Sequence, residues 1–273
     1  MEQQHRICQT CGVSLSPDAQ FCQECGYAVD PKLRTEESEV AVRRNLTYSS
    51  DFVSLLKKSA WTKILLVAYI ASVLFASLAT WMEISLLQNI EFATDSEISN
   101  NESIVGLSSL ITLFVLLGFI ITFLMWLHRA SSNLASLGYV NQRFSPGWAV
   151  GWWFIPIMNL FRPFLVMKEI WKASHPENNR LSKPESANRL MYQKDELSSD
   201  LIGWWWGFWL VSNWIGNAAL RGYFRADTAE QLIISNSVQL FVSGADIVAA
   251  IMLFLIVNQI TNNQEIKSQT VSN

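Results

Sequence analysis

Four cysteines in two Cys-x-x-Cys pairs are the residues of this chain with the clearest chemistry. Cys8 with Cys11 and Cys22 with Cys25 account for every cysteine of the sequence. Four thiolates brought together by two tight turns make a closed tetrahedral site for one structural Zn²⁺, without an open position for catalysis. A redox pair would need a βαβ setting, and disulfides would need an oxidising compartment. We therefore predict a zinc ribbon over residues 1–30, folded largely by its metal.

The charge of this ribbon argues against nucleic acid as its partner. Residues 1–30 contain one strong base, Arg6, against four acidic residues. A zinc ion held by four thiolates adds about two further negative charges. Binding to phosphates needs a basic surface, which this segment lacks. We expect the ribbon either to contact a cytosolic protein partner or to be purely structural.

The rest of the chain is carried by four long apolar segments. Half of all residues are hydrophobic, 16% are charged and 12 are tryptophan, which is too apolar for an ordinary soluble domain. A helix needs roughly 20 apolar residues to cross a bilayer. We predict an all-α, multi-pass membrane domain over residues 61–260. Its spans are expected at about 64–84, 103–127, 201–220 and 233–257.

A fifth segment, residues 144–167, contains Pro146 and Pro156. Two prolines ten positions apart break a straight helix, so Pro146 is expected to begin a helix and Pro156 to form a turn or kink. Lys and Arg are frequent before residue 64 and over 168–200. The positive-inside rule then places both termini in the cytoplasm if 144–167 is re-entrant or interfacial. We expect this topology in the cell (inner or plasma) membrane.

Two polar segments flank the membrane domain. Residues 31–60 form the predicted linker, and the stretch from Ser50 to Lys58 is basic and amphipathic. That stretch is expected either to lie on the membrane surface or to extend the first membrane helix. Residues 261–273 are predicted to be a disordered cytosolic tail.

Residues 123–174 contain short motifs that are specific when taken together. They comprise Trp126-Leu127-His128-Arg129, Asn133, Pro146, Trp153-Phe154-Ile155-Pro156, Asn159, Pro163 and Glu169. Over roughly residues 60–260 the chain resembles a bacterial multi-pass membrane family known as domain of unknown function 4328, whose members often carry an amino-terminal zinc ribbon. The resemblance implies a multi-pass membrane domain and supplies neither an activity nor a catalytic residue.

Five polar residues are candidates for a membrane site, namely Arg129, Asn133, Asn159, Glu169 and Asp246. Asp246 lies deep in the last span, where an ionised group costs ~2.5–3.5 kcal/mol. It is expected to be either an ion or proton site or a neutral carboxyl that locks helices together. Arg129 is expected to snorkel, to clamp an anionic lipid headgroup or to pair with Glu169. Asn133 and Asn159 are expected to bond the broken backbone around Pro156.

Three classes of function are compatible with these residues. The absence of an acid–base or nucleophile pair favours a membrane scaffold or regulatory adaptor over an enzyme. One alternative is a small transporter or channel with a cavity near the Pro-broken segment and Asp246. A second is a membrane enzyme acting on a lipid or redox substrate at the cytoplasmic face. Membrane lipids are expected partners in each class, and small-xxx-small patterns also fit a homo-oligomer.

Overall fold

The structure, a computed structural model, describes residues 6–7, 14–15, 51–139, 142–176 and 189–271, with the backbone alone for 6–7, 14–15, 189–199 and 271. The chain divides into two compact units, Met1–Ser50 and Asp51–Asn273. The four predicted zinc ligands, Cys8, Cys11, Cys22 and Cys25, lie outside the described residues, as do residues 31–50 of the predicted linker.

The amino-terminal unit contains a short antiparallel hairpin. β1 (Arg6–Ile7) pairs with β2 (Ser14–Leu15), with Arg6 opposite Leu15 and Ile7 opposite Ser14. The first Cys-x-x-Cys pair falls in the connection between these strands. A Cys-x-x-Cys pair supplies two of the four thiolates of a tetrahedral zinc site.

Helices build the second unit, which confirms the predicted all-α membrane fold. The long ones are α1 (Leu56–Gln88), α2 (Asp95–Ser136), α5 (Arg189–Phe224) and α6 (Ala229–Val271), and the short ones are α3 (Pro146–Gly151) and α4 (Arg162–Ser174). α1 and α2 form one hairpin, α5 and α6 form a second, and α1 packs against α6. We call the end with the hairpin connections 89–94 and 225–228 the upper end, and the end with α3 and α4 the lower end.

The surface of this unit carries a belt of exposed apolar side chains. The belt runs from Trp61 to Met82 on α1, from Leu107 to Met125 on α2 and from Ile234 to Leu255 on α6. At 1.5 Å per residue these stretches are about 27–32 Å long, which matches a hydrocarbon core of about 30 Å. α1, α2 and the Ala229–Thr270 part of α6 are each long and apolar enough to cross a membrane.

The predicted span at 201–220 lies within α5 and is helical throughout. α5 is not among the three helices that meet the hydropathy level of a span within the described chain. Tryptophan and asparagine side chains lower its hydropathy. Trp204 and Trp214 are exposed like the belt residues, while Ile202 and Trp205 are buried against the bundle. A fourth crossing by α5 stays a prediction.

Residues 144–167 form a broken segment, as their prolines predict. Pro146 lies in the first turn of α3 and Pro163 in the first turn of α4. Pro156 lies in the turn between two single-turn 3₁₀ helices. α4 has 13 residues and is therefore about 20 Å long, too short to cross a bilayer. Phe154 is 70% exposed, so the segment turns apolar surface outward, and its re-entrant or interfacial course stays a prediction.

The prediction of a disordered tail at 261–273 is wrong as far as Val271, because α6 continues to that residue. Thr261, Gln264 and Lys267 are buried. Their polar groups bond to α2 and α4, as detailed below, and this tertiary contact keeps a polar sequence helical.

The basic stretch before α1 is also bound to the bundle. The Ser54 hydroxyl and the Leu55 N–H both donate to the Glu265 carboxylate on α6, at 2.8 and 2.7 Å, and the Leu55 side chain is buried. From Leu56 onward the stretch belongs to α1. The part of the stretch from Leu56 onward therefore extends the first membrane helix, and the position of the stretch on the membrane surface stays a prediction.

Candidate functional site

A cavity of about 720 Å³ lies in the upper part of the bundle, between the two hairpins. α1, α2, α5 and α6 all contribute to its walls. α2 and α5 each pack against their own hairpin partner and hardly against each other. The cavity is therefore least enclosed between α2 and α5, on a side of the bundle that carries the apolar belt. No residue of 144–167 lines this cavity. The sequence predicts a cavity near both Asp246 and the Pro-broken segment, and of these two only Asp246 lies in its wall.

Two carboxyl groups lie in the wall of this cavity at different heights. Glu83 lies near the upper end, where the Tyr223 hydroxyl donates to its Oε1 at 3.2 Å. Asn236 lies beside the same carboxyl group. Asp246 lies ten residues after Asn236 on α6, which is about 15 Å further along the helix axis.

The wall of this cavity contains buried polar groups that make no hydrogen bond of good geometry within the described chain. Asp246 is half-buried, and Tyr69 and Ser212 are its polar neighbours. Ser212 Oγ and Asn236 Nδ2 are buried without a hydrogen-bond partner of good geometry among the described residues. A buried polar group left unpaired costs about 1–3 kcal/mol. This wall is therefore suited to a ligand or water that would bond these atoms.

The cavity combines acidic groups with aromatic surface. Its described lining residues include two acids, Glu83 and Asp246, and no base. Six are aromatic, namely Tyr69, Phe119, Trp205, Trp209, Tyr223 and Phe224. Aromatic faces attract cations, and the attraction increases where water is excluded. This arrangement can bind a positively charged organic molecule.

A different kind of polar site lies at the lower end, around Asn133. The Asn133 side chain is fully buried. Its Nδ2 donates to the Val53 carbonyl at 2.9 Å and to Gln264 Oε1 at 3.2 Å, and its Oδ1 accepts the Val53 N–H at 3.3 Å. Asn133 therefore holds the segment before α1, and the prediction that it bonds the backbone around Pro156 is wrong.

Gln264 and Lys267 extend these contacts to α4, and with Asn133 they form what we call the polar cluster. Gln264 Nε2 donates to the Ala130 carbonyl and to Ser174 Oγ, both at 2.9 Å. Lys267 is 1% exposed, and its Nζ donates to the Ala173 carbonyl at 3.0 Å. Ala173 lies in the last turn of α4, where the helix dipole favours a cation. The polar cluster thus joins α2, α4 and α6.

Glu169 closes the loop that precedes α3. Its carboxylate accepts the backbone N–H groups of Arg143 at 2.6 Å and Phe144 at 3.3 Å. Burial raises the pKa of this carboxyl, and the two backbone bonds and the Arg143 charge partly offset that rise. The cation that acts on Glu169 is Arg143, not Arg129 as one alternative had it.

The other candidates lie elsewhere. Asn159 belongs to a 3₁₀ helix of the broken segment, and its Oδ1 is buried without a partner among the described residues. Arg129 lines a small pocket with Lys58 and His128. The five predicted polar residues therefore occupy separate environments and do not form one site.

Glu83 is the principal residue that sequence reasoning missed. Glu83 lies within the span predicted at about 64–84 and is followed by Ile84, Leu86 and Leu87, but the five candidate polar residues do not include it. An apolar turn after an acidic residue indicates that the helix continues, and this signal could have placed Glu83 inside the bundle.

The described residues contain no group of three or more His, Cys, Asp or Glu side chains that could hold a metal ion. The predicted zinc ligands belong to the undescribed part of the ribbon. Four thiolate donors, with two of them between the paired strands β1 and β2, fit a tetrahedral zinc site.

Comparison with known proteins identifies both units. Residues 7–29 match the zinc-ribbon domain, which agrees with the spacing of the cysteines. No curated protein and no solved structure matches the chain. Residues 91–262, more than half of the chain, match the domain of unknown function DUF4328, and this membrane protein belongs to that family.

Proposed function

We propose that the membrane unit binds a small lipophilic cation in its upper cavity, as a small transporter or a ligand-regulated membrane protein would. The observation that carries this proposal is the pairing of Glu83 and Asp246 in one cavity lined by six aromatic side chains. A volume of about 720 Å³ lies in the range of pockets for drug-sized molecules.

The chemistry favours a cation over a neutral or anionic ligand. A carboxylate removed from water gains most from a positive partner, and the aromatic walls contribute cation–π attraction. An anion would meet two acids and no base among the lining residues. Cation binding therefore explains both the charge and the aromatic content of the cavity.

The test uses two probes of nearly equal size and opposite charge. The full-length protein in lipid nanodiscs is titrated with tetraphenylphosphonium and with tetraphenylborate, and tryptophan fluorescence reports binding. We expect saturable binding of tetraphenylphosphonium at one site. Equal binding of the two ions, or binding of neither, contradicts the proposal.

Paired variants locate the bound ion. Asp246→Asn and Glu83→Gln should each weaken tetraphenylphosphonium binding by about tenfold, because each removes one nearby charge. Asp227→Asn and Glu91→Gln change exposed carboxyls outside the cavity lining and are the matched controls. Loss of affinity in the controls as large as in the cavity variants would place the ion elsewhere.

A role as scaffold or regulatory adaptor is the second candidate, and the zinc-ribbon match in a separate compact unit favours it. In this proposal Cys8, Cys11, Cys22 and Cys25 hold one structural Zn²⁺, and the ribbon recruits a cytosolic protein. Native mass spectrometry of the intact protein should find one zinc ion, absent when Cys22 and Cys25 are replaced by serine. Crosslinking in cells should then lose a ribbon-dependent partner, while tetraphenylphosphonium binding in nanodiscs stays unchanged.

The topology proposed with either function is multi-pass in the cell membrane, with both termini cytoplasmic. The lower end carries Lys57, Lys58 and Lys172, while residues 88–103 carry neither Lys nor Arg, and the positive-inside rule supports this orientation. Impermeant labelling of a cysteine introduced within 176–188 should succeed only after the membrane is opened. Labelling in intact cells would instead show that this loop lies outside the cell and that the proposed orientation is wrong.

A further inference from the structure

We infer that a second cavity, at the lower end of the belt, binds the phosphate group of an anionic lipid. This pocket of about 440 Å³ lies between α1, α2 and α3. Three basic side chains, Lys58, His128 and Arg129, line it together with apolar residues that include Met125 and Val150. The inference is independent of the function proposed for the upper cavity.

The charges in this pocket are uncompensated by its own walls. Lys58 and Arg129 both act electrostatically on His128, and no acidic residue lines the pocket in the described chain. The Nε of Arg129 is buried without a hydrogen-bond partner among the described residues. A phosphate oxygen in the pocket would bond this N–H and reduce the repulsion between the Lys58 and Arg129 charges.

The position of the pocket favours a lipid over a soluble anion. Leu117, Ile121 and Met125 are spaced four residues apart and exposed on α2, so they follow one face of the helix down the belt. Met125 is the last exposed belt residue of α2, and His128 and Arg129 follow within about one turn. The basic groups therefore lie at headgroup level, directly below an apolar track suited to an acyl chain.

The third wall comes from the broken segment. Trp148 of α3 is 52% exposed, and its ring stacks on Trp152 with centroids 4.5 Å apart. Aromatic side chains with one apolar and one polar face are suited to the membrane interface. Basic pockets between membrane helices at this depth bind anionic headgroups, so a lipid here would hold α3 against α1 and α2.

The experiment measures retained lipid on the full-length protein by native mass spectrometry. Protein in phosphatidylcholine nanodiscs is offered phosphatidylglycerol, and separately inorganic phosphate as the soluble source of the same group. We expect retention of one phosphatidylglycerol in preference to phosphatidylcholine. Equal retention of both lipids overturns the inference, and protection from thermal unfolding by inorganic phosphate alone overturns the assignment to a lipid.

Variants assign the lipid to the pocket. Lys58→Gln and Arg129→Gln should each lower phosphatidylglycerol retention about fivefold, as expected for one lost basic contact. Arg129→Lys should restore part of the loss, since it keeps the charge without the fork of donors. Lys57→Gln is the matched control, because Lys57 is exposed and does not line the pocket. Unchanged retention in a folded Lys58→Gln/Arg129→Gln double variant contradicts the inference.

Discussion

The upper cavity and the polar cluster bury the same kinds of side chain with opposite results. In the polar cluster, Asn133 uses both its oxygen and its nitrogen in hydrogen bonds, and the Lys267 ammonium group bonds the end of α4. In the upper cavity, Ser212 Oγ lies beside Asp246 and Asn236 Nδ2 beside Glu83, but neither atom makes a hydrogen bond of good geometry within the described protein. The polar cluster is therefore satisfied by the protein itself, whereas the upper cavity keeps polar groups that a ligand or water could bond.

This contrast separates polar residues that stabilise the fold from polar residues that serve a ligand. Fully bonded buried groups contribute to one defined packing, and their loss leaves the partner unpaired. Binding sites commonly retain groups that are unfavourable for stability until the ligand arrives. Substitutions that remove one polar group at a time should therefore lower stability strongly in the polar cluster and weakly in the upper cavity.

The largest effect is expected for Asn133→Ala. The change removes three hydrogen bonds, leaves the buried Gln264 Oε1 without its Asn133 donor, and releases the Val53 backbone that Asn133 holds. The free energy of unfolding should fall by about 3 kcal/mol, measured by denaturant unfolding in mixed micelles. Asn217→Ala is the control, because Asn217 is exposed and bonds only its own helix at Asn213. If the two variants lose the same stability, the polar cluster has no special role.

A smaller, pH-dependent effect is expected for Glu169→Gln. Because burial raises the pKa of Glu169, its carboxyl holds a proton more tightly in the folded than in the unfolded protein. The favourable contribution of Glu169 to the free energy of unfolding is present below its unfolded-state pKa and is lost as the pH rises through its folded-state pKa. As the pH rises through this range the wild type should lose stability relative to the variant, by an amount that the partial exposure of Glu169 keeps small. Parallel stability profiles for the two proteins, followed by thermal unfolding, contradict this prediction.

The smallest effect on stability is expected for Asp246→Asn, although its effect on tetraphenylphosphonium binding is expected to be large. The carboxyl has Ser212 and Tyr69 as neighbours but makes no network comparable to that of Asn133. The free energy of unfolding without ligand should change by less than about 0.5 kcal/mol, by the same unfolding assay. A loss above about 2 kcal/mol would show instead that Asp246 locks the helices together.

The membrane fold was predictable because its signals are local. The uncharged runs around 64–84 and 103–127 define helices by length and apolarity alone, and Pro146 and Pro156 mark the breaks of the segment between α2 and α5. The helical course of residues 261–271 was not predictable in the same way. It depends on contacts of Gln264 and Lys267 with residues 90 or more positions away, and no local pattern encodes such contacts.

The candidate site was predictable residue by residue but not as an arrangement. The costs of burial single out Asp246 and Asn133 from the sequence. Their partners come from other helices, so the pairing of Asp246 with Glu83 in one cavity required the packing of α1 against α6. The same holds for Arg129, whose neighbour Lys58 is brought close by the α1–α2 hairpin.

The length of α6 has a mechanical consequence. Between Leu255, where its belt ends, and Val271 the helix continues for 16 residues, or about 24 Å. Membrane helices are tilted by about 20° on average, and a change of tilt is one way in which they match the thickness of the bilayer. A change in tilt of about 10° would displace the end of this 24 Å arm by about 4 Å. Because α2 and α4 are bonded to the arm, they would move with it, and the lower end becomes a lever that converts bilayer thickness into displacement.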